Sequence, residues 1–247
     1  MPIALAPLLL VLIALRLRLA ADSLTAVLGM ALLVALVGGR IVPAFLAARA
    51  GDGDRRRPMP TVARLADAAL GVTLALHLGG VADTWVGGAA LAAALGQALR
   101  LRGWALAPAL RGHGDLLLLV LAWLWLPLGL GLVGAGLLGA TGLPVATLVH
   151  ALTMGLMGSM VLAVMARAWM ARAPGRLLAG RAMAVAFALL QLSVALRLFL
   201  SDAGMIVVLP WLGAWAIVAW QSALAVGRPL PRPVFSARRS NPANGSG

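Results

Sequence analysis

The chain contains no cysteine, no tyrosine and no lysine. Without cysteine it forms no disulfide and offers no thiolate to zinc or to an iron–sulfur cluster. Without tyrosine, eight tryptophans are left as its chief anchors at a membrane–water interface. Without lysine, all 20 basic residues are arginines, set against seven acidic side chains. Charged residues are 11% of the 247, against roughly a quarter in a soluble domain.

What fills the chain instead is apolar. The hydrophobic fraction is 62% and the mean hydropathy +1.00. Runs of about 18 or more apolar residues recur, the pattern of transmembrane helices. The expected fold is an all-α polytopic bundle of about eight spans, with seven an open alternative. The expected spans are roughly 2–21, 24–48, 62–80, 85–101, 115–139, 144–168, 180–201 and 204–226. The first run lacks a basic leader, and Arg16 and Arg18 follow its apolar part, so a retained helix is expected rather than a signal peptide. Residues 1–228 read as one membrane domain and 229–247, rich in Pro, Ser and Asn, as a disordered cytoplasmic tail.

Arginines occupy alternate gaps. Arg49, Arg55, Arg56 and Arg57 lie in one, and Arg100, Arg102 and Arg111 in the next such gap. Arg167, Arg172, Arg176 and Arg181 follow, then Arg228, Arg232, Arg238 and Arg239 in the tail. The intervening connections carry Asp83, no charge at 140–143, and Asp202. Basic loops stay in the cytoplasm, so both termini are expected inside. Arg16 and Arg18 oppose that threading. The net charge of +13 would suit nucleic acid, but its distribution between spans argues for the lipid bilayer as the partner.

Ionisable residues in spans are costly and mark candidate sites. His150 opens the sixth span, with Met154 and Met157 at helical spacing from it, and Ala151, Gly155, Ser159 and Ala163 form a small-residue stripe beside it. Histidine and methionine ligate haem iron, and methionine also suits Cu(I), although methionines in spans mostly just pack. The threading puts His77 at the same outer depth, which permits a bis-imidazole site without demonstrating one. Arg197, with Arg16 and Arg18, joins that layer, where arginines neutralise haem propionates, attract an anion or snorkel to headgroups. At the inner side, an Arg40–Asp67 ion pair is expected to relieve the burial of Asp67. His113 and Asp115 are expected to be a surface histidine and a helix cap. Pro43 and Pro127 each free a backbone carbonyl within a span.

Three segments carry a family resemblance: Gly39-Arg40-Ile41-Val42-Pro43; Trp125-Leu126-Pro127-Leu128-Gly129; and His150-Ala151-Leu152-Thr153-Met154-Gly155, followed by Ala163-Val164-Met165-Ala166-Arg167. They resemble the NnrS family of bacterial inner-membrane proteins, mainly its C-terminal portion. The resemblance implies haem and copper as cofactors and a role in nitric oxide metabolism or resistance to nitrosative stress. It makes His150 the strongest ligand candidate, and Arg40, Pro43, Pro127, Gly155 and Arg167 family-type positions. The chain departs from the pattern at Val120, where the family often has histidine, and near Arg172, where another histidine is missing. The histidine-bearing segment of the family's N-terminal half is absent.

Two other functions remain open on the residues alone. One is a transporter for a small solute or anion, using the outer arginine–histidine layer. The other is a cofactor-free assembly subunit. On any of these readings a homo-oligomer, or a second membrane subunit supplying the missing family helices, is an open partner. No nucleophile triad, phosphate loop or carboxylate pair points to an enzyme class.

Overall fold

The computed structural model describes residues 23–51, 59–173, 176–178, 180–200 and 204–225. The expected first span, Arg16 and Arg18, and the tail 229–247 lie outside the described residues. The helices are α1 (Ser23–Ala47), α2 (Pro60–Leu78), α3 (Asp83–Arg100), a short α4 (Ala107–Leu110) and α5 (Gly114–Leu137). After α6 (Val145–Leu148), a π-helix over Ala151–Gly158 runs directly into α7 (Ser159–Trp169). A two-stranded antiparallel ribbon, β1 (Ala171–Ala173) with β2 (Arg176–Leu178), turns the chain into α8 (Arg181–Phe199) and α9 (Met205–Ala225). The ribbon is a local addition to an otherwise all-α bundle.

Among the described residues, six helical segments are long and apolar enough to cross a membrane: α1, α2, α5, the compound Val145–Arg167, α8 and α9. The expected boundaries agree with these within a few residues, because apolar length and terminating glycines or arginines set them locally. The eight-span expectation is met only in this coarser form. Helix α3 is 18 residues long but less apolar, since it carries Asp83, Gln97 and Arg100 among many alanines and glycines.

Those small residues decide how α3 packs. A Cβ built on Gly96 would lie 2.9 Å from the Ala66 methyl of α2. A Cβ on Gly87 would lie 2.9 Å from the Gly134 carbonyl oxygen of α5, and the reverse holds for Gly134. Without side chains there, backbones approach closely and dispersion contacts replace the weak hydrophobic drive available in lipid. Helix α3 thus sits between α2 and α5 as their principal neighbour.

Helix α5 is the core element. Leu119, Ala122, Trp123, Leu126, Leu130 and Val133 are buried on it, and it packs on α1, α3, the π-helix and α7. Its interior Pro127 lacks the amide that would bond the Trp123 carbonyl, yet the helix continues through it. Outward faces remain apolar, as lipid requires: Leu65, Leu95, Phe199 and Leu209 are all exposed.

Candidate functional site

Among the described residues, three buried polar clusters are each built across helices. The first lies where α1, α2 and α3 meet. Pro43 removes the amide that would bond the Gly39 carbonyl in α1. Arg100, the last residue of α3, supplies the missing donor: its Nη2 lies 2.9 Å from the Gly39 oxygen. Glycine is required there, because a Cβ on residue 39 would fall inside the guanidinium. Arg100 Nη1 donates to Asp67 Oδ1 at 2.9 Å and to Gln97 Oε1 at 3.4 Å, and Gln97 Nε2 donates to Asp67 Oδ1 at 3.0 Å. The guanidinium also lies over the Trp123 ring, 5.4 Å from its centroid, and Trp104 packs against Trp123 at 4.9 Å.

The expected partner of Asp67 was Arg40, and the structure corrects it. Arg40 is exposed, while Asp67 takes its cation from Arg100. Adjacent residues of an α-helix point roughly 100° apart, so Gly39 and Arg40 cannot both face the interior. The glycine faces in, and a guanidinium from the neighbouring helix fills the space.

The second cluster joins the start of α5 to the end of the sixth span. Arg167 Nη1 donates to Asp115 Oδ2, and both side chains are buried. The Arg167 guanidinium lies 4.3 Å from the centroid of the Phe45 ring on α1. Asp115 was expected only to cap its helix. It is 2% exposed, and its Oδ1 has no hydrogen-bond partner among the described residues. His113 is half-buried, with Nδ1 3.0 Å from the Pro108 carbonyl oxygen.

The third cluster surrounds the π-helix. Trp125 Nε1 donates to Gln191 Oε1 at 2.5 Å, and Gln191 Nε2 donates to Ser159 Oγ at 2.7 Å. The bonds tie α5, α8 and α7 together. Gly155 makes room for the indole, since a Cβ there would lie 2.6 Å from Trp125 Cδ2. Ala151, Gly155, Ser159 and Ala163 are all buried, so the small-residue stripe is the packing face.

His150, Met154 and Met157 are half-buried. A π-helix has a wider turn than an α-helix, so α-helical spacing does not set which residues share a face over 151–158. His150 Nδ1 lies 3.1 Å from the Thr147 carbonyl oxygen. A carbonyl only accepts, so this contact selects, for the neutral ring, the tautomer with the proton on Nδ1 and the lone pair on Nε2. His77 is half-buried near the end of α2, whose principal neighbours are α1 and α3. The π-helix beyond His150 packs instead on α5, α1, α7 and α8. Among the described residues no three of His, Cys, Asp or Glu gather as a metal site. Arg197 is half-buried in the last turn of α8, and α8 packs on α6 just before His150.

Sequence reasoning missed Arg100, Gln97 and Gln191. The first two stand three apart on one helix, a spacing that puts both on one face. Gln191 is a lone amide inside an apolar span, a signal of the same kind as the histidines.

No curated protein and no solved structure shows significant similarity to the chain. The family model described as NnrS protein matches residues 1–229. With almost the whole sequence matched, and the Gly39–Pro43 segment explained as the seat of Arg100, the chain belongs to the NnrS family of membrane proteins linked to nitric oxide response.

Proposed function

We propose that this protein acts in nitric oxide response as a haem-binding membrane protein, with His150 as the iron ligand from this chain. The observation that carries the reading is the bond from His150 Nδ1 to the Thr147 carbonyl. It orients the ring and, in the neutral imidazole, leaves Nε2 as the donor atom, the arrangement that backbone carbonyls give metal-bound histidines. Bound haem would supply an iron site for nitric oxide. The chain's own part is to orient the imidazole and shape the surrounding helices. Trp125 and Gln191 brace the π-helix that follows His150, and π segments often accompany functional positions.

A second protein ligand would have to come from a different part of the bundle than the His150 segment. Met154, four residues along the same chain segment, is poorly placed for that, and His77 lies on a helix packed elsewhere. We therefore assign one protein ligand and give Arg197 the role of propionate partner, because α8 packs beside the approach to His150. Copper fits less well. Copper sites combine several thiolate, thioether or imidazole ligands; the chain has no thiolate, and no three of His, Cys, Asp or Glu gather among the described residues.

The same reading places the chain in a bacterial inner membrane with both termini cytoplasmic. Helix α3 would cross as well: its 18 residues span about 27 Å, close to the hydrocarbon core. Exposed Leu91 and Leu95 give it a lipid-compatible face. Together with residues 2–21 it completes eight spans.

One absorption spectrum of the purified protein tests the central claim. A Soret band is expected in the wild type and in His113→Ala, and its loss in His150→Ala. Colourless protein from haem-replete cells would overturn the reading and favour the transporter or assembly-subunit alternatives. Solute uptake into liposomes then separates those two.

A further inference from the structure

Arg100 does more than satisfy Asp67 and Gly39. Its bonds use both hydrogens of Nη1 and one of Nη2. The Nε hydrogen and the second Nη2 hydrogen remain as donors. The side chain is only 6% exposed, yet it lines a cavity of about 380 Å³ with Gly39, Pro43, Met59, Ala63 and Trp104. A buried guanidinium with donors to spare, at the edge of a mostly apolar cavity, is a built site for an anion that brings an apolar body with it.

The surroundings favour negative charge. Three exposed arginines adjoin lining residues in sequence: Arg40 follows Gly39, Arg64 follows Ala63, and Arg102 precedes Gly103. The cavity lies at the end of α3 that leads into the Arg100–Arg111 connection, one of the basic gaps. Polyanionic headgroups concentrate at such basic ends, and basic pockets between spans hold them specifically. The apolar walls disfavour a bare inorganic ion, which would lose its hydration against Pro43, Met59 and Ala63.

We infer that this cavity binds the phosphodiester headgroup of an anionic phospholipid. The phosphate accepts from the remaining Arg100 donors, and the glycerol and upper acyl carbons lie against the walls. Asp67 keeps Arg100 oriented through Nη1, so the lipid completes the guanidinium's hydrogen bonding without replacing a protein partner. The site is separate from His150 and does not depend on haem.

The test uses the full chain purified in neutral detergent. The unfolding midpoint is followed against added dioleoyl phosphatidylglycerol, dioleoyl phosphatidylcholine or inorganic phosphate, and retained lipid is identified by native mass spectrometry. Phosphatidylglycerol is expected to raise the midpoint and to be retained, while the other two leave it unchanged. Arg100→Gln is expected to weaken the apparent phosphatidylglycerol affinity about tenfold or more, the effect of losing a charge-assisted hydrogen bond. Ala47→Phe tests the same site with Arg100 intact. Ala47 is exposed and lines the cavity, so the larger ring fills the space without touching the core, and it should weaken binding comparably. Arg181→Gln, at an exposed arginine away from the cavity, should keep the wild-type affinity. Equal response to phosphatidylcholine, or undiminished phosphatidylglycerol affinity in Ala47→Phe, would overturn the proposal. A shift reproduced by inorganic phosphate alone would overturn the lipid as its source.

Discussion

Arg100 bonds the carbonyl of Gly39 across 61 positions of sequence, and it does so because Pro43 leaves that carbonyl without a helical amide. Three residues from two helices make one device: proline opens the acceptor, glycine clears the space, and arginine fills it. Gly39→Ala is therefore expected to push the guanidinium away from both the carbonyl and Asp67. The expected loss is about 1–3 kcal/mol, the range for overpacking a tight interior, read as a lowered unfolding midpoint in detergent.

Pro43→Ala gives the helix back an amide for the Gly39 carbonyl. Arg100 then competes for an acceptor already used, so Arg100→Gln should be less destabilising in the Pro43→Ala background than in the wild type. A double-mutant cycle on unfolding free energies should return a coupling of about 0.5–3 kcal/mol. Simple additivity of the two substitutions would show that the proline and the arginine act independently.

Asp115 and Arg167 are buried together, so removing either strands a charge. Asp115→Leu or Arg167→Met alone should cost about 3–5 kcal/mol, and the double variant far less than their sum. Denaturant titration of the three variants checks this. A double variant as unstable as the added singles would mean that the pair's geometry, not its charge balance, holds α5 to the sixth span.

Gln191→Leu removes the acceptor of the Trp125 indole and the donor to Ser159 in one step. The expected cost is about 1–3 kcal/mol from the orphaned groups. The proposed haem site predicts in addition a shifted Soret maximum, since the brace beside His150 loosens. A large loss of stability with an unchanged Soret position would confine the network to a packing role.

The absence of cysteine makes every introduced thiol unique. Val81→Cys, in the connection between α2 and α3, should react with an impermeant maleimide in intact cells. Gly51→Cys, after α1, should react only once the membrane is opened. The opposite pattern would reverse the proposed threading.

Much of the fold was legible because the relevant quantities are local. Spans α1, α2, α5, α8 and α9 announce themselves as apolar stretches of sufficient length, and their ends agree with the expected ones. Helix α3 was legible as a helix but is less apolar than its neighbours, because its polar residues are satisfied by α2 and α1 rather than by water. The π-helix was not legible, since its wider turn leaves no periodic mark in a segment this short and uniformly apolar. His150 was singled out from its chemistry alone, yet the bond that orients it depends on the turn at Thr147.

Composition, apolar length and the placement of arginines were enough to determine a polytopic membrane protein, and short ordered blocks were enough to identify its family. Those properties are additive along the chain. Which charges meet is different in kind. Asp67 pairs with Arg100 and not with Arg40, and Asp115 with Arg167 beyond its place at the helix start, because a buried charge pairs with whatever cation the packing brings within reach. That choice depends on the rotation of each helix about its axis and on glycines that let backbones touch. Only the assembled bundle decides those.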